Sequence, residues 1–123
     1  NRPLLRDEIL RYARSKDVPI STETQKFNSV PFMSVHRSKG LQARVVIVLS
    51  VDKGPYGFPC ELQNPDIYDP AVKGRRKDRE EEERRLFYVA VTRGKETVVL
   101  YTQESSMSKF IKEISEHVQM VKL

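Results

Sequence analysis

Cysteine is nearly absent from this chain. Cys60 stands alone in 123 residues, so there is no internal disulfide, and with only two histidines, His36 and His117, far apart in sequence, no metal-ligand cluster is spelled out. A reduced, cytoplasmic setting is the resulting expectation. Long apolar runs are missing too: nothing approaches the roughly 20 residues that a membrane span needs. No charged start leads into an apolar stretch, so nothing marks secretion. Charge of one sign is not in great excess either. Twenty-two basic residues face 17 acidic ones for a net +5, a balance that favours a polyanionic partner only mildly. There is no internal repeat, no low-complexity tract and no GxxxxGK[ST] phosphate loop.

What is present fits one compact α/β domain. The chain opens "NRPLLRDEILRYARSKDVPI" without an initiator Met, with a helix almost at once, and reads as a piece of a longer polypeptide. Asn1 and Pro3 suit a helix start, and Leu5, Ile9, Tyr12 and Ala13 repeat at helical spacing, which predicts a helix over 3–16. Asp17 and Pro19 end it, with a short strand near 18–20. The β-branched runs "VPFMSV" (30–35) and "RVVIVLSV" (44–51) predict strands, the second nearly continuous, as a strand covered on both faces reads. The link between them is too short for a full crossover helix, which makes parallel neighbours unusual and leaves non-adjacent or antiparallel strands as the alternatives.

Residues 52–78 are rich in glycine and proline and read as a long loop. Tyr56 and Phe58 within it can stack on bases or pack the loop down. From Asp78, a capping residue with Glu81 three positions on, a helix is predicted. Glu80 with Arg84 and Glu81 with Arg85 make i,i+4 pairs, and Leu86, Phe87, Ala90 and Val91 make its buried stripe. Gly94 suits the left-handed residue beyond it. "TVVLYT" (97–102) is a further buried strand, and Ser105 or Ser106 caps a last helix with Met107, Phe110, Ile111, Ile114 and Val118 on one face. The order αββαβα with apolar strands predicts a layered α/β domain built on a mostly parallel central sheet with helices on both faces.

Two constellations can carry chemistry. In "MSVHRSKGLQA" (33–43), Ser34, His36, Arg37, Lys39 and the backbone at Gly40 cluster at a strand end, where α/β sheets bind ligands. Gly40 lets the backbone approach a phosphate, and the side chains can bond phosphate or sugar oxygens. The same residues also suit a plain capped turn with a solvated Lys39. In "EEEERRLFYVAVTRGK" (80–95), Arg93 lies past the apolar stripe beside Thr92 and Lys95. It either favours the negative end of the helix dipole or reaches a phosphate held elsewhere.

Taken together and in this order, "FMSVHRSKGLQARVVIVL" and "EEERRLFYVAVTRGK", separated by a loop containing "GFP", resemble the last two helicase motifs of the UvrD/Rep-like superfamily 1 DNA helicases. The loop and "KGLQA" look nearest to the helicase IV branch. The resemblance covers about residues 30–103. It implies a RecA-like fold, with residues 1–123 forming the C-terminal part of the second motor domain of an ATP-dependent DNA helicase. It implies that Ser34 and His36 touch single-stranded DNA, with Arg37 and Lys39 beside them. Lys39, Gly40 and Leu41 match the turn linking DNA and nucleotide sites. Gln42 stands where many members have a glutamate that bonds the ribose, and brings an uncharged amide instead. Arg93 matches the arginine that reaches the γ-phosphate. Glu83, Arg84 and Tyr88 match recurrent positions of the motif helix, Tyr88 as a packing and hydrogen-bonding residue. ATP, with Mg2+ held by the first motor domain, single-stranded DNA and that first motor domain are the implied partners, and the isolated chain should be inactive. The competing class is a nucleic-acid-binding or protein-interaction module that keeps the fold without motor activity.

Overall fold

Residues 3–23, 26–55, 57–60 and 72–123 are described by a computed structural model, with side-chain surroundings beginning at residue 6 in the first helix and residue 78 in the long one. They fall into two units, Asn1–Lys39 and Gly40–Leu123.

In the first unit, helix α1 spans Pro3–Ser15, close to the predicted limits. Its stop is built by Asp17, which takes φ 54°. This left-handed residue lets the Val18 N–H reach back to the Ala13 carbonyl at 2.9 Å, satisfying an end carbonyl of the helix. Ala13 is buried as expected, but Tyr12 points outward, because only a narrow stripe of this helix is covered. Strands β1 (Ile20–Ser21) and β2 (Val30–Pro31) pair in parallel. The strand predicted over 30–35 is therefore two residues long. The chain turns at Ser34, whose carbonyl accepts from the N–H groups of Arg37 (3.0 Å) and Ser38 (3.2 Å), starting a 3₁₀ turn at His36–Ser38.

In the second unit, β3 (Ala43–Val48) and β4 (Gly94–Leu100) pair in parallel, with the long helix α2 (Val72–Val91) between them in sequence and in contact with both. A parallel pair needs such a crossover, and α2 supplies it. The parallel pairing expected of the sheet is thus present, divided among the described residues between two separate two-stranded sheets. β2 and β3 do not pair with each other; they belong to separate sheets. The reading of β3 and β4 as covered on both faces is corrected: Val48 is buried, whereas Val45 and Ile47, which point the other way, are 55% and 63% exposed. Val99 and Tyr101 are likewise exposed.

α2 begins at Val72, so Asp78 lies within the helix and does not cap it. The predicted loop over 52–78 accordingly ends earlier; residues 61–71 lie outside the described residues, as does Tyr56. Gly94 is corrected as well. Its φ is not positive; it opens β4, and a Cβ there would meet the Thr97 carbonyl oxygen at 2.8 Å and Val98 Cγ2 at 2.5 Å. Glycine is required by close approach at the register shift between Ala43 and Val45, not by a left-handed turn.

The core is aromatic. Phe87 on α2 and Phe110 on α3 (Lys109–Glu113) are each 1% exposed, with ring centroids 5.5 Å apart, and Phe58 stands edge-on to both at 5.6 and 6.1 Å. Of the two options for Phe58, it takes the packing one. The last helix starts later than predicted, because Ser108 rather than Ser105 or Ser106 is its cap: the Ser108 hydroxyl accepts from the Phe110 N–H at 3.2 Å and donates to the Phe58 carbonyl. That bond pins the 58–60 segment onto the helix start. Asp52 pins the strand ends, its carboxylate accepting from the Thr102 hydroxyl (2.7 Å) and the Gln103 N–H (2.8 Å).

Candidate functional site

The sequence-predicted residues divide between the two units. Ser34, His36, Arg37 and Lys39 lie along one turn in the first, and Gly40, Gln42 and Arg93 belong to the second. Ser34 and His36 sit on this 3₁₀ turn and not on a strand end, since β2 has already finished at Pro31. The Ser38 hydroxyl donates to the Val35 carbonyl at 2.7 Å and stiffens the turn. His36, Arg37 and Lys39 are exposed on it and Ser34 is half-buried.

Gly40 follows with φ 83°, a conformation that side chains disfavour, which is why glycine stands there. This residue turns the chain into β3, and Leu41 and Gln42 come next, both exposed.

Arg93 is the centre of the second group. Its backbone carbonyl accepts from the Ala43 N–H at 3.0 Å, and its side chain returns to the same segment: Nη1 donates to the Leu41 carbonyl at 3.2 Å. Nε donates to the Val89 carbonyl at 3.0 Å, and Nη2 to the Thr92 hydroxyl at 3.2 Å. The "KGLQA" turn and the end of α2, about fifty residues apart in sequence, thus meet on one guanidinium. A guanidinium carries five N–H donors in a rigid plane. Three are engaged here, leaving one on each terminal nitrogen, in a half-buried group with its orientation set.

The acceptors were not legible as such. Leu41 and Val89 act through backbone carbonyls, which no side-chain pattern announces. Thr92 was visible only as a neighbour of Arg93. Gln42 belongs to the same turn, on the segment that bonds Arg93.

The rest of α2 holds this junction in place. Arg84 donates from Nε and Nη2 to both carboxylate oxygens of Glu113, each at 3.0 Å, and also contacts Glu80 at 3.3 Å and Glu81. The predicted partner of Glu81 was Arg85; the actual one is Arg84, one residue closer. Lys109 Nζ lies 2.6 Å from Glu80. These contacts hold the Glu113 carboxyl below its ordinary value, chiefly through Arg84, and that of Glu80 likewise, chiefly through Lys109. Glu83 accepts from the Cys60 N–H at 3.4 Å. Tyr88 is half-exposed, its ring edge-on to Phe87 at 6.3 Å, and its carbonyl accepts from Thr92.

In this α/β unit the turn that leads into β3 is joined to an arginine at the end of α2. The family described as the UvrD-like helicase C-terminal domain matches residues 5–105. The chain belongs to that family. It is similar to DNA helicase IV of Escherichia coli strain K12, with 33% identity over 82 residues, covering 67% of this chain and 12% of that protein. The putative ATP-dependent DNA helicase YjcD of Bacillus subtilis strain 168 is 38% identical over 73 residues, 59% of this chain and 9% of its own length. ATP-dependent DNA helicase PcrA of Staphylococcus epidermidis is 29% identical over 104 residues, 76% of this chain and 13% of its own. The chain therefore spans roughly a tenth of the length of these curated relatives. Among the described residues, no helix is long and apolar enough to cross a membrane.

Proposed function

We propose that this chain is the C-terminal part of the second RecA-like motor domain of a cytoplasmic ATP-dependent DNA helicase, and that Arg93 is its arginine finger. The observation that carries this reading is the docking of the Arg93 guanidinium on the Leu41 carbonyl, which ties the "KGLQA" turn to the end of α2 while leaving an N–H on each terminal nitrogen to meet an anion. Paired N–H donors in one plane match two oxygens of a phosphate.

In this reading ATP is bound by the first motor domain, and closure of the two domains brings Arg93 to the γ-phosphate as charge builds there. The contribution is electrostatic and positional, and a finger of this kind is worth roughly 10³ to 10⁵ in rate when the site is complete. Gly40 and Gln42 contribute backbone and amide contacts to the nucleotide. Ser34, His36, Arg37 and Lys39, strung along one exposed turn, bond the phosphates of single-stranded DNA, a salt-dependent interaction. In this reading the Mg2+ that accompanies ATP is held by the first motor domain.

The test is single-stranded-DNA-stimulated ATP hydrolysis by the full-length parent, with and without Arg93→Ala. A fall in kcat of about 10³-fold or more with little change in nucleotide affinity supports the reading. Wild-type protein without DNA-stimulated turnover, or a fully active Arg93→Ala variant, leaves the non-motor binding module in its place.

A further inference from the structure

We infer that Thr92 is a positioning residue for Arg93, setting the plane of the guanidinium through a hydroxyl that can act toward it only as an acceptor. The inference rests on the role proposed for Arg93 above.

A threonine hydroxyl has one proton and two lone pairs. The Thr92 oxygen lies 2.7 Å from the Tyr88 carbonyl, which also accepts the Thr92 N–H at 3.0 Å, and 3.1 Å from the Val89 carbonyl, which lies in the last turn of α2. Carbonyls only accept, so the proton of Thr92 is committed to them. What remains for Arg93 is a lone pair, and Nη2 takes it at 3.2 Å. Polarity is therefore fixed along the chain: guanidinium to hydroxyl to helix carbonyl. Threonine is branched at Cβ and stiff at χ1, so its oxygen is a less mobile acceptor than a longer side chain would be.

The geometry needs this third bond. Nε to Val89 and Nη1 to Leu41 each fix one edge of the guanidinium against a backbone carbonyl. The Thr92 hydroxyl supplies the partner of Nη2, and a plane held at three donors cannot rock about the line joining the other two. An error of about 1 Å at a reacting centre can cost on the order of 10²-fold in rate. Loss of the Thr92 acceptor should then appear in kcat rather than in binding, because ATP is held mainly by the other motor domain.

The experiment uses the full-length parent and compares Thr92→Val, nearly isosteric but without the hydroxyl, with Thr92→Ser, which keeps it. The expected result for Thr92→Val is a fall in kcat for DNA-stimulated ATP hydrolysis of about 10- to 100-fold, with KM for ATP and melting temperature near wild type. Thr92→Ser should keep most of the activity. The double variant Thr92→Val/Arg93→Ala should be no slower than Arg93→Ala alone, since a residue that acts through Arg93 has nothing left to position. Thr92→Ala, which also lacks the acceptor, must behave like Thr92→Val; a difference between them marks a packing effect and overturns the inference. So do a Thr92→Val enzyme with wild-type kcat, equal losses in the Val and Ser variants, or a double variant slower than Arg93→Ala. If Arg93→Ala is itself fully active, the finger reading fails. If Arg93→Ala is impaired and Thr92→Val is not, only the role of Thr92 fails.

Discussion

Arg84 and Glu113, 29 positions apart, face each other through two parallel hydrogen bonds of 3.0 Å, with the Arg84 guanidinium also 5.3 Å from the ring centre of Phe110. One arginine thus closes α3 over α2 and covers the edge of the aromatic core. A bidentate pair is the ion-pair geometry with most to offer, although at a solvent-accessible site its strength falls with added salt. Arg84→Gln is expected to lower the melting temperature modestly, with the difference from wild type shrinking as salt is raised. A salt-independent difference would mean that packing on Phe110, not the charge, is what Arg84 contributes.

The same clamp has a pH dependence whose sign is fixed. Glu113 and Glu80 are held below the ordinary carboxyl value of 4.5, Glu113 chiefly by Arg84 and Glu80 chiefly by Lys109. A carboxyl with a depressed native pKa stabilises the fold above its unfolded value and loses that contribution as pH falls through the folded one. Thermal unfolding should therefore be insensitive to these groups near neutrality and become steadily easier as pH drops below about 4.5. Glu113→Gln should flatten that acid limb; a variant with an unchanged acid slope would show that other carboxylates govern it.

Phe87 touches both Phe58 and Phe110 and is almost wholly buried. Phe87→Ala should cost about 3 to 5 kcal/mol, as such truncations do in close-packed cores. That is a large share of the stability of a small domain. Denaturant unfolding of the purified protein reads it directly, and a loss under about 1 kcal/mol would mean that the cluster collapses around the gap.

At Gly40 the constraint is backbone conformation, since a Cβ there would meet nothing within 4 Å. With φ at 83°, Gly40→Ala should cost about 1 to 2 kcal/mol or shift the turn that carries Leu41 to Arg93. In the latter case, on the function proposed above, ATP hydrolysis falls while the melting temperature holds. An alanine variant unchanged in both measurements would show that the turn tolerates another path.

How much of this was legible in the sequence depends on the range of the determining interaction. The limits of α1, the stripe of Phe87 and Ala90, and the strand character of 43–48 and 97–100 follow from periodicity and branching, which act locally. Asp78 misled because a capping pattern is indifferent to whether a helix is already running; α2 had started six residues before it. Ser108 was passed over for Ser105 and Ser106 because its role depends on the carbonyl of Phe58, 50 positions away. Arg93 and Gly40 were identified from motif order, and the sequence placed them in one site only through the resemblance. The bond from Arg93 to the Leu41 carbonyl is invisible to any side-chain reading, since every residue carries that acceptor.

The outward row of Val45, Ile47, Val99 and Tyr101 on the β3–β4 sheet has a practical consequence for the bench. Four exposed apolar and aromatic side chains on a two-stranded surface are a recipe for self-adhesion in solution, with strand edges alongside to template it. A recombinant piece limited to these 123 residues should therefore lose monomer with rising concentration, and a lysine at Ile47 should rescue its solubility without disturbing the guanidinium at the other end of the strand.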